Sequence, residues 1–129
     1  MSSSAIAGVR VLVVDDDESV REAVADFLKD CGADVMSVAS AEAAMWVLSE
    51  VPPDVLISDV SMPRHDGFWL IRAVRGLPIA RGGNVPAIAM TGRLDAEEAL
   101  LRAGFTEVRI KPPDLAEFTE LIAGLAARC

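Results

Sequence analysis

The chain has 129 residues, a formal net charge of −8 and 52% hydrophobic residues. That length suits one domain with one hydrophobic core, and the hydrophobic content excludes a disordered chain. The acidic balance argues against direct nucleic-acid binding, because a phosphate backbone repels an acidic surface. No apolar run is long enough to span a bilayer, and the N-terminus does not have the pattern of a signal peptide. We therefore expect a cytoplasmic protein without membrane insertion.

Short buried strands and amphipathic helices alternate along the chain. Strands are predicted near residues 9–14, 33–38, 54–59, 87–90 and 108–110, where apolar runs are bounded by turn residues. A helix is predicted after each strand, and the fourth, at about residues 95–102, is short. Asp17, Ser40 and Asp114 stand at expected N-cap positions, and Glu117 follows Asp114 at the spacing of a capping box.

This alternation predicts one α/β domain with a parallel sheet that is covered by helices on both faces. Residues 1–8 are expected to be a flexible tail, and residues 9–129 the domain. Right-handed crossovers place the carboxyl end of every strand at one edge of the sheet. That edge is predicted to collect five polar residues, namely Asp15, Asp16, Asp59, Thr91 and Lys111.

The five polar residues suit the chemistry of phosphoryl transfer. Three carboxylates that face one point repel each other unless a cation lies among them, and Mg²⁺ prefers such oxygen ligands. Lys111 would add a fixed positive charge, and Thr91 a hydroxyl donor. If Asp59 supplies the attacking oxygen, the product is an aspartyl phosphate.

Five segments together resemble the receiver domain of two-component response regulators. They are Val11–Asp17, Ser58–Pro63, Asp66-Gly67, Met90–Gly92 and Lys111-Pro112, and they occur in the order typical of that family. The resemblance covers about residues 9–125. It implies a flavodoxin-like, doubly wound sheet of five strands in the order 2-1-3-4-5 with five helices.

The resemblance also implies roles for individual residues. Asp59 would accept a phosphoryl group from a phosphohistidine of a sensor histidine kinase or a histidine phosphotransfer protein. Asp16 would be the main Mg²⁺ ligand, assisted by Asp15, by Asp59 and by the backbone carbonyl of Ser61. The domain would phosphorylate and dephosphorylate itself, without turning over an external substrate as an enzyme does.

The resemblance also implies a conformational switch that depends on Lys111 and Thr91. Lys111 would bind a phosphoryl oxygen, and its peptide bond to Pro112 would be cis. Thr91 would move toward the phosphate. An aromatic residue usually stands three positions before the lysine, whereas this chain has Val108. The usual coupling between threonine and aromatic ring is therefore not expected. The connector at residues 77–86 resembles the connector found in receiver domains that are attached to hybrid sensor kinases.

Two alternatives remain open at the level of sequence. One is a Mg²⁺-dependent phosphatase in which Asp15 is the nucleophile, because Asp15 and Asp17 have the D-x-D spacing of such enzymes. The other is a receiver fold used only for docking, without phosphorylation.

Trp69 lies outside the predicted apolar stripe of its helix, so it is a candidate surface for a downstream partner or a homodimer. His65 is expected in an exposed loop.

Overall fold

The computed structural model describes residues 3–127, and in this range five parallel strands alternate with five α-helices. Their bounds are β1 Arg10–Val14, α1 Glu18–Asp30, β2 Asp34–Val38, α2 Ala41–Glu50, β3 Val55–Asp59, α3 Gly67–Arg75, β4 Ala87–Thr91, α4 Glu97–Ala103, β5 Glu107–Ile110 and α5 Leu115–Ala126. The strand order is β2-β1-β3-β4-β5, and all neighbours are parallel. The predicted flavodoxin-like fold is confirmed. The first two residues of the predicted tail and the last two of the predicted domain lie outside the described range.

Two apolar clusters cover the two faces of the sheet. Successive side chains of a strand point to opposite faces, so a strand that is apolar throughout serves both clusters. In β3, Leu56 packs with α2, α3 and α4, whereas Val55 and Ile57 pack with α1 and α5. All five residues of β3 and of β4 are buried. The central strands are therefore fixed from both sides, which makes their carboxyl ends a rigid support for polar groups.

The helix starts follow the predicted capping residues. The Asp17 side chain accepts hydrogen bonds from the first turn of α1, the Ser40 hydroxyl accepts one from Ala43 N–H, and the Asp114 carboxylate accepts one from Glu117 N–H. The Glu117 carboxylate lies 3.7 Å from Arg109 Nε. Within the described chain, only the Asp114 half of the capping box is formed.

The N-terminal segment differs from the expected tail at Ile6. Residues Ser3–Ile6 form a turn of 3₁₀-helix, and the Ile6 side chain is fully buried in the cluster under α1 and α5. Gly8 N–H donates to the Gly32 carbonyl at 2.9 Å, which ties this segment to the end of α1.

In the described part of the chain, the helices lack the length and hydropathy needed to cross a bilayer.

Candidate functional site

The carboxyl ends of β1, β3, β4 and β5 bring four of the predicted site residues to one place. Asp59 is the last residue of β3, and Thr91 is the last residue of β4. Asp15 directly follows β1, and Lys111 directly follows β5. Because all the strands are parallel, these side chains meet at one edge of the sheet, as predicted.

Lys111 forms the centre of the charged cluster. Its Nζ lies 3.1 Å from Asp15 Oδ2 and 3.1 Å from Asp59 Oδ1. Asp59 Oδ1 also accepts a hydrogen bond from Val60 N–H at 2.8 Å. Two donors therefore engage Oδ1, while Oδ2 of Asp59 accepts no hydrogen bond from the residues that the structure describes. Oδ2 is therefore the less engaged of the two oxygens of Asp59.

Burial raises the pKa of Asp59 to about 6. Asp59 as a whole residue is only 5% exposed. The nearby charge of Asp15 raises the pKa of Asp59 further, whereas the hydrogen bond from Lys111 and that from Val60 N–H lower it. Burial also lowers the pKa of Lys111, but its contacts with Asp59 and Asp15 outweigh that effect, so the pKa of Lys111 is raised. The lysine remains a cation, and the Asp59 carboxylate is held in a costly ionised state at neutral pH.

Three carboxylates at this edge fit a divalent cation. Asp15, Asp16 and Asp59 each offer an oxygen, and these oxygens lie within 4.8 Å of one another. Asp15 Oδ1 accepts a hydrogen bond from Asp17 N–H at 2.9 Å. Asp15 Oδ2 is buried and, apart from its charge contact with Lys111, has no hydrogen-bond partner among the described residues. An oxygen of this kind, beside two further carboxylates, suits Mg²⁺ as a ligand.

Thr91, Ser61 and Arg93 line an open cavity of about 430 Å³, to which Val60, the residue after Asp59, also contributes. The Thr91 side chain is buried, and its Oγ1 accepts a hydrogen bond from Arg93 N–H at 3.1 Å. Ser61 lies exposed in the loop after β3, where its backbone was predicted to complete the metal ligands. A Cβ at Gly92 would meet no atom within 4 Å, so the space beside this residue is open.

The role of Gly67 in supporting the site was missed in the sequence analysis. A Cβ at this position would lie 2.8 Å from the carbonyl oxygen of Asp59 and 2.8 Å from Val60 Cα. Gly67 N–H also donates to the Val60 carbonyl at 2.8 Å. Only glycine allows the first turn of α3 to approach the end of β3 so closely. The Asp66-Gly67 pair is the sequence signal, with Asp66 accepting from Trp69 N–H as the N-cap.

The main chain of Asp15 has a further support that the sequence did not indicate. Arg21 extends from α1, and its Nη1 donates to the Asp15 carbonyl at 2.8 Å.

The peptide bond between Lys111 and Pro112 is cis, as the resemblance implied. Val108 is buried in β5, so this strand presents a small aliphatic side chain where an aromatic ring was described as usual.

Two residues near the site lie apart from the carboxylate cluster. His65 stacks on Trp69, with ring centroids 4.0 Å apart, and its Nε2 lies 3.6 Å from a carboxylate oxygen of Glu42. Trp69 is 37% exposed on α3. The imidazole is therefore packed against helices α2 and α3 instead of joining the residues that could hold a metal.

Comparison with known proteins gives a family match over most of the chain. The model of the response regulator receiver domain matches residues 11–123. An uncharacterized 14.6 kDa protein of Leptolyngbya boryana is 41% identical over 119 residues, which cover 91% of this chain and 89% of that protein. The response regulator protein FleR of Pseudomonas aeruginosa is 35% identical over 116 residues, which cover 88% of this chain but 24% of that regulator.

Solved structures show the same architecture. The chemotaxis response regulator CheY4 of Vibrio cholerae superposes with a TM-score of 0.83 at 28% identity, covering 92% of this chain and 98% of that one. The receiver domain of a Pseudomonas aeruginosa sensor histidine kinase gives a TM-score of 0.85 at 26% identity, covering 94% of this chain and 99% of that one. That receiver has a magnesium ion coordinated in its active site cleft.

Proposed function

This chain belongs to the response regulator receiver domain family, and from that premise we propose that it accepts a phosphoryl group on Asp59 in a Mg²⁺-dependent reaction. The donor is a phosphohistidine on a sensor histidine kinase or a histidine phosphotransfer protein. The observation that carries the proposal is the arrangement at Lys111, whose Nζ lies 3.1 Å from both Asp15 and Asp59 and leaves Asp59 Oδ2 free.

The residues of the chain account for the transfer step. Asp59 Oδ2 forms the new P–O bond while the P–N bond of the donor breaks, and the leaving imidazole nitrogen keeps the electron pair and is protonated. Lys111, a cation within reach of Asp59, neutralises charge on a phosphoryl oxygen. Bound among Asp15, Asp16, Asp59 and the carbonyl of Ser61, Mg²⁺ would supply further charge neutralisation.

The switch that follows depends on Thr91. Its Oγ1 accepts a hydrogen bond from Arg93 N–H, and a phosphoryl group on Asp59 offers a charged acceptor for the hydroxyl proton. Movement of Thr91 would release the chain after β4, which has room at Gly92. The phosphorylated state then favours a second conformation that a downstream protein recognises. The domain catalyses its own phosphorylation and dephosphorylation only, and it acts in the cytoplasm.

A phosphatase with Asp15 as nucleophile has less support from the geometry. Asp15 is fully buried, and its Oδ1 is engaged by Asp17 N–H. Asp59 is 5% exposed and its chain neighbour Val60 lines the open cavity, so Asp59 is the better placed nucleophile.

The test is intact-mass spectrometry after incubation with an acyl phosphate, with Mg²⁺ or with a chelator. We expect the wild-type chain to gain one phosphoryl group only when Mg²⁺ is present. Asp59→Asn should gain none, whereas the exposed control Asp54→Asn should react as the wild type does. A phosphoryl adduct that persists in Asp59→Asn, or one that Asp15→Asn alone abolishes while Asp59→Asn reacts normally, would contradict the assignment.

A further inference from the structure

Helix α3 and its flanking loops carry positive charge in an acidic chain. Residues 61–86 contain four arginines and one acidic residue, Asp66, although the whole chain has a net charge of −8. The carboxylate of Asp66 is used as the N-cap of α3. We call Arg64, Phe68, Trp69, Arg72 and Ala73 the α3 patch; the last four, with Asp66, line an open groove of about 700 Å³.

The aromatic side chains of the α3 patch are held in place from the side. The His65 ring stacks on Trp69 at an interplanar angle of 15°, and the Arg72 guanidinium lies 5.7 Å from the centroid of Phe68. The core does not need Trp69, because α3 already buries an apolar stripe of its own, Leu70, Ile71 and Val74. Rigid tryptophan and arginine side chains at the surface are the residue types that dominate protein interfaces.

The arginines of the α3 patch have no acidic partner within the described chain. Arg64 and Arg72 are exposed and form no ion pair there, in contrast to Arg93 and Arg102, which pair with Asp95 and Glu98. The patch therefore favours a ligand that brings carboxylates. An apolar side chain on the same ligand would cover the ring faces of the groove.

The α3 patch is joined to the phosphoacceptor through Gly67. The first turn of α3 touches the main chain of Asp59 and Val60 so closely that no Cβ fits, and Phe68 and Trp69 follow at once in sequence. This close packing gives a direct path by which a shift in the main chain at Asp59 would reach the start of α3. Phe68 also lines the cavity that contains Thr91, which gives the patch a second link to the site.

We propose that the α3 patch is the surface through which the domain passes on the state of Asp59, and that its partner is an acidic protein segment with an apolar side chain. Carboxylates of that segment pair with Arg64 and Arg72, and the apolar side chain lies against Trp69. The coupling to Asp59 rests on the function proposed above, whereas the binding chemistry of the patch does not. Because Val108 stands in β5 where an aromatic residue is usual, the usual coupling of the threonine to an aromatic ring is absent from this chain.

The test uses a synthetic helical peptide with glutamates at i, i+4 spacing and one leucine between them, and a control peptide with lysines in place of the glutamates. Trp69 fluorescence in a Trp46→Phe background reports binding. We expect the glutamate peptide to bind and the lysine peptide not to bind. The affinity for the glutamate peptide should differ about fivefold between unmodified protein and protein whose full phosphorylation is verified by intact mass.

Charge reversal decides whether the α3 patch is the binding site. Arg72→Glu should weaken binding of the glutamate peptide about tenfold, and Lys29→Glu, an exposed reversal on α1, should leave it unchanged. Any of three results overturns the proposal. They are equal binding of the glutamate and lysine peptides, equal losses of affinity in Arg72→Glu and Lys29→Glu, and the same affinity for fully phosphorylated as for unmodified protein. If no phosphoryl group is gained, the function proposed for Asp59 fails, and binding to the unmodified protein still supports or rejects the patch.

Discussion

Asp59→Asn is expected to make the metal-free domain more stable at neutral pH, although it removes one half of an ion pair. Burial raises the pKa of Asp59 from 3.8 to about 6. Between these values the folded state binds a proton that the unfolded state has lost, so the stability due to this group is present below pH 3.8 and is lost as the pH rises through about 6. At 1.36 kcal/mol per pKa unit, the loss amounts to about 3 kcal/mol.

Asparagine avoids that loss because it cannot ionise, and its side-chain oxygen can still accept from Val60 N–H. The pKa of about 6 already includes the attraction of Lys111, so Asp59→Asn should raise the free energy of unfolding by up to about 3 kcal/mol at pH 7.5 in a chelator. Urea denaturation at pH 7.5 and pH 4.5 measures this difference, which should shrink at the lower pH. The control Asp26→Asn removes one exposed charge from α1 and should change stability by less than about 0.5 kcal/mol.

Two results would refute this reasoning. One is an Asp59→Asn variant that is less stable than the wild type at pH 7.5, which would mean that the contact with Lys111 outweighs the cost of burying the charge. The other is a gain in stability that is equally large at both pH values, which would place its origin outside the ionisation of Asp59.

Three further predictions concern the same edge of the sheet. Gly67→Ala should lower the free energy of unfolding by about 1–3 kcal/mol, because the new Cβ would overlap the main chain at Asp59. The control Gly124→Ala places a Cβ that meets no atom within 4 Å, so it should raise the free energy of unfolding by about 0.5–1 kcal/mol. Lys111→Met should lower the free energy of unfolding by about 3 kcal/mol at pH 7.5 and by less at pH 5, where protonation of Asp59 removes part of its repulsion with Asp15. A loss of stability that does not depend on pH in urea titrations would contradict this. Mg²⁺ at ten times its Kd should stabilise the wild type by about 1.4 kcal/mol and Asp16→Asn far less, as thermal unfolding with and without a chelator will show.

The sequence was sufficient for the alternation of strands and helices, and for gathering polar side chains at one edge of the sheet, because both depend on local patterns. Apolar runs that end in a polar residue identified the ends of β3 and β4, and crossover handedness then placed Asp59 and Thr91 together. The strand order came from the resemblance to a family, since alternation alone allows several orders.

Other features could not be predicted because they depend on contacts between distant residues. Arg75 donates from α3 to the carbonyls of Gly104 and Gly83, and no local pattern indicates which carbonyls an arginine will reach. The approach of Gly67 to Asp59 likewise requires the position of α3 relative to β3. The burial of Ile6 depends on a pocket between α1 and α5, which forms only when the chain has folded.

The packing of Ile6 has a practical consequence for shortening this polypeptide. The family match begins at residue 11 and ends at residue 123, so a version cut to those limits would lack Ile6 and Leu125. Both side chains are almost completely inaccessible to solvent, and both belong to the apolar cluster that α5 closes. Trimming to the homologous range would open a void beneath that helix, and fusion partners are better attached ahead of residue 3 than at the start of β1.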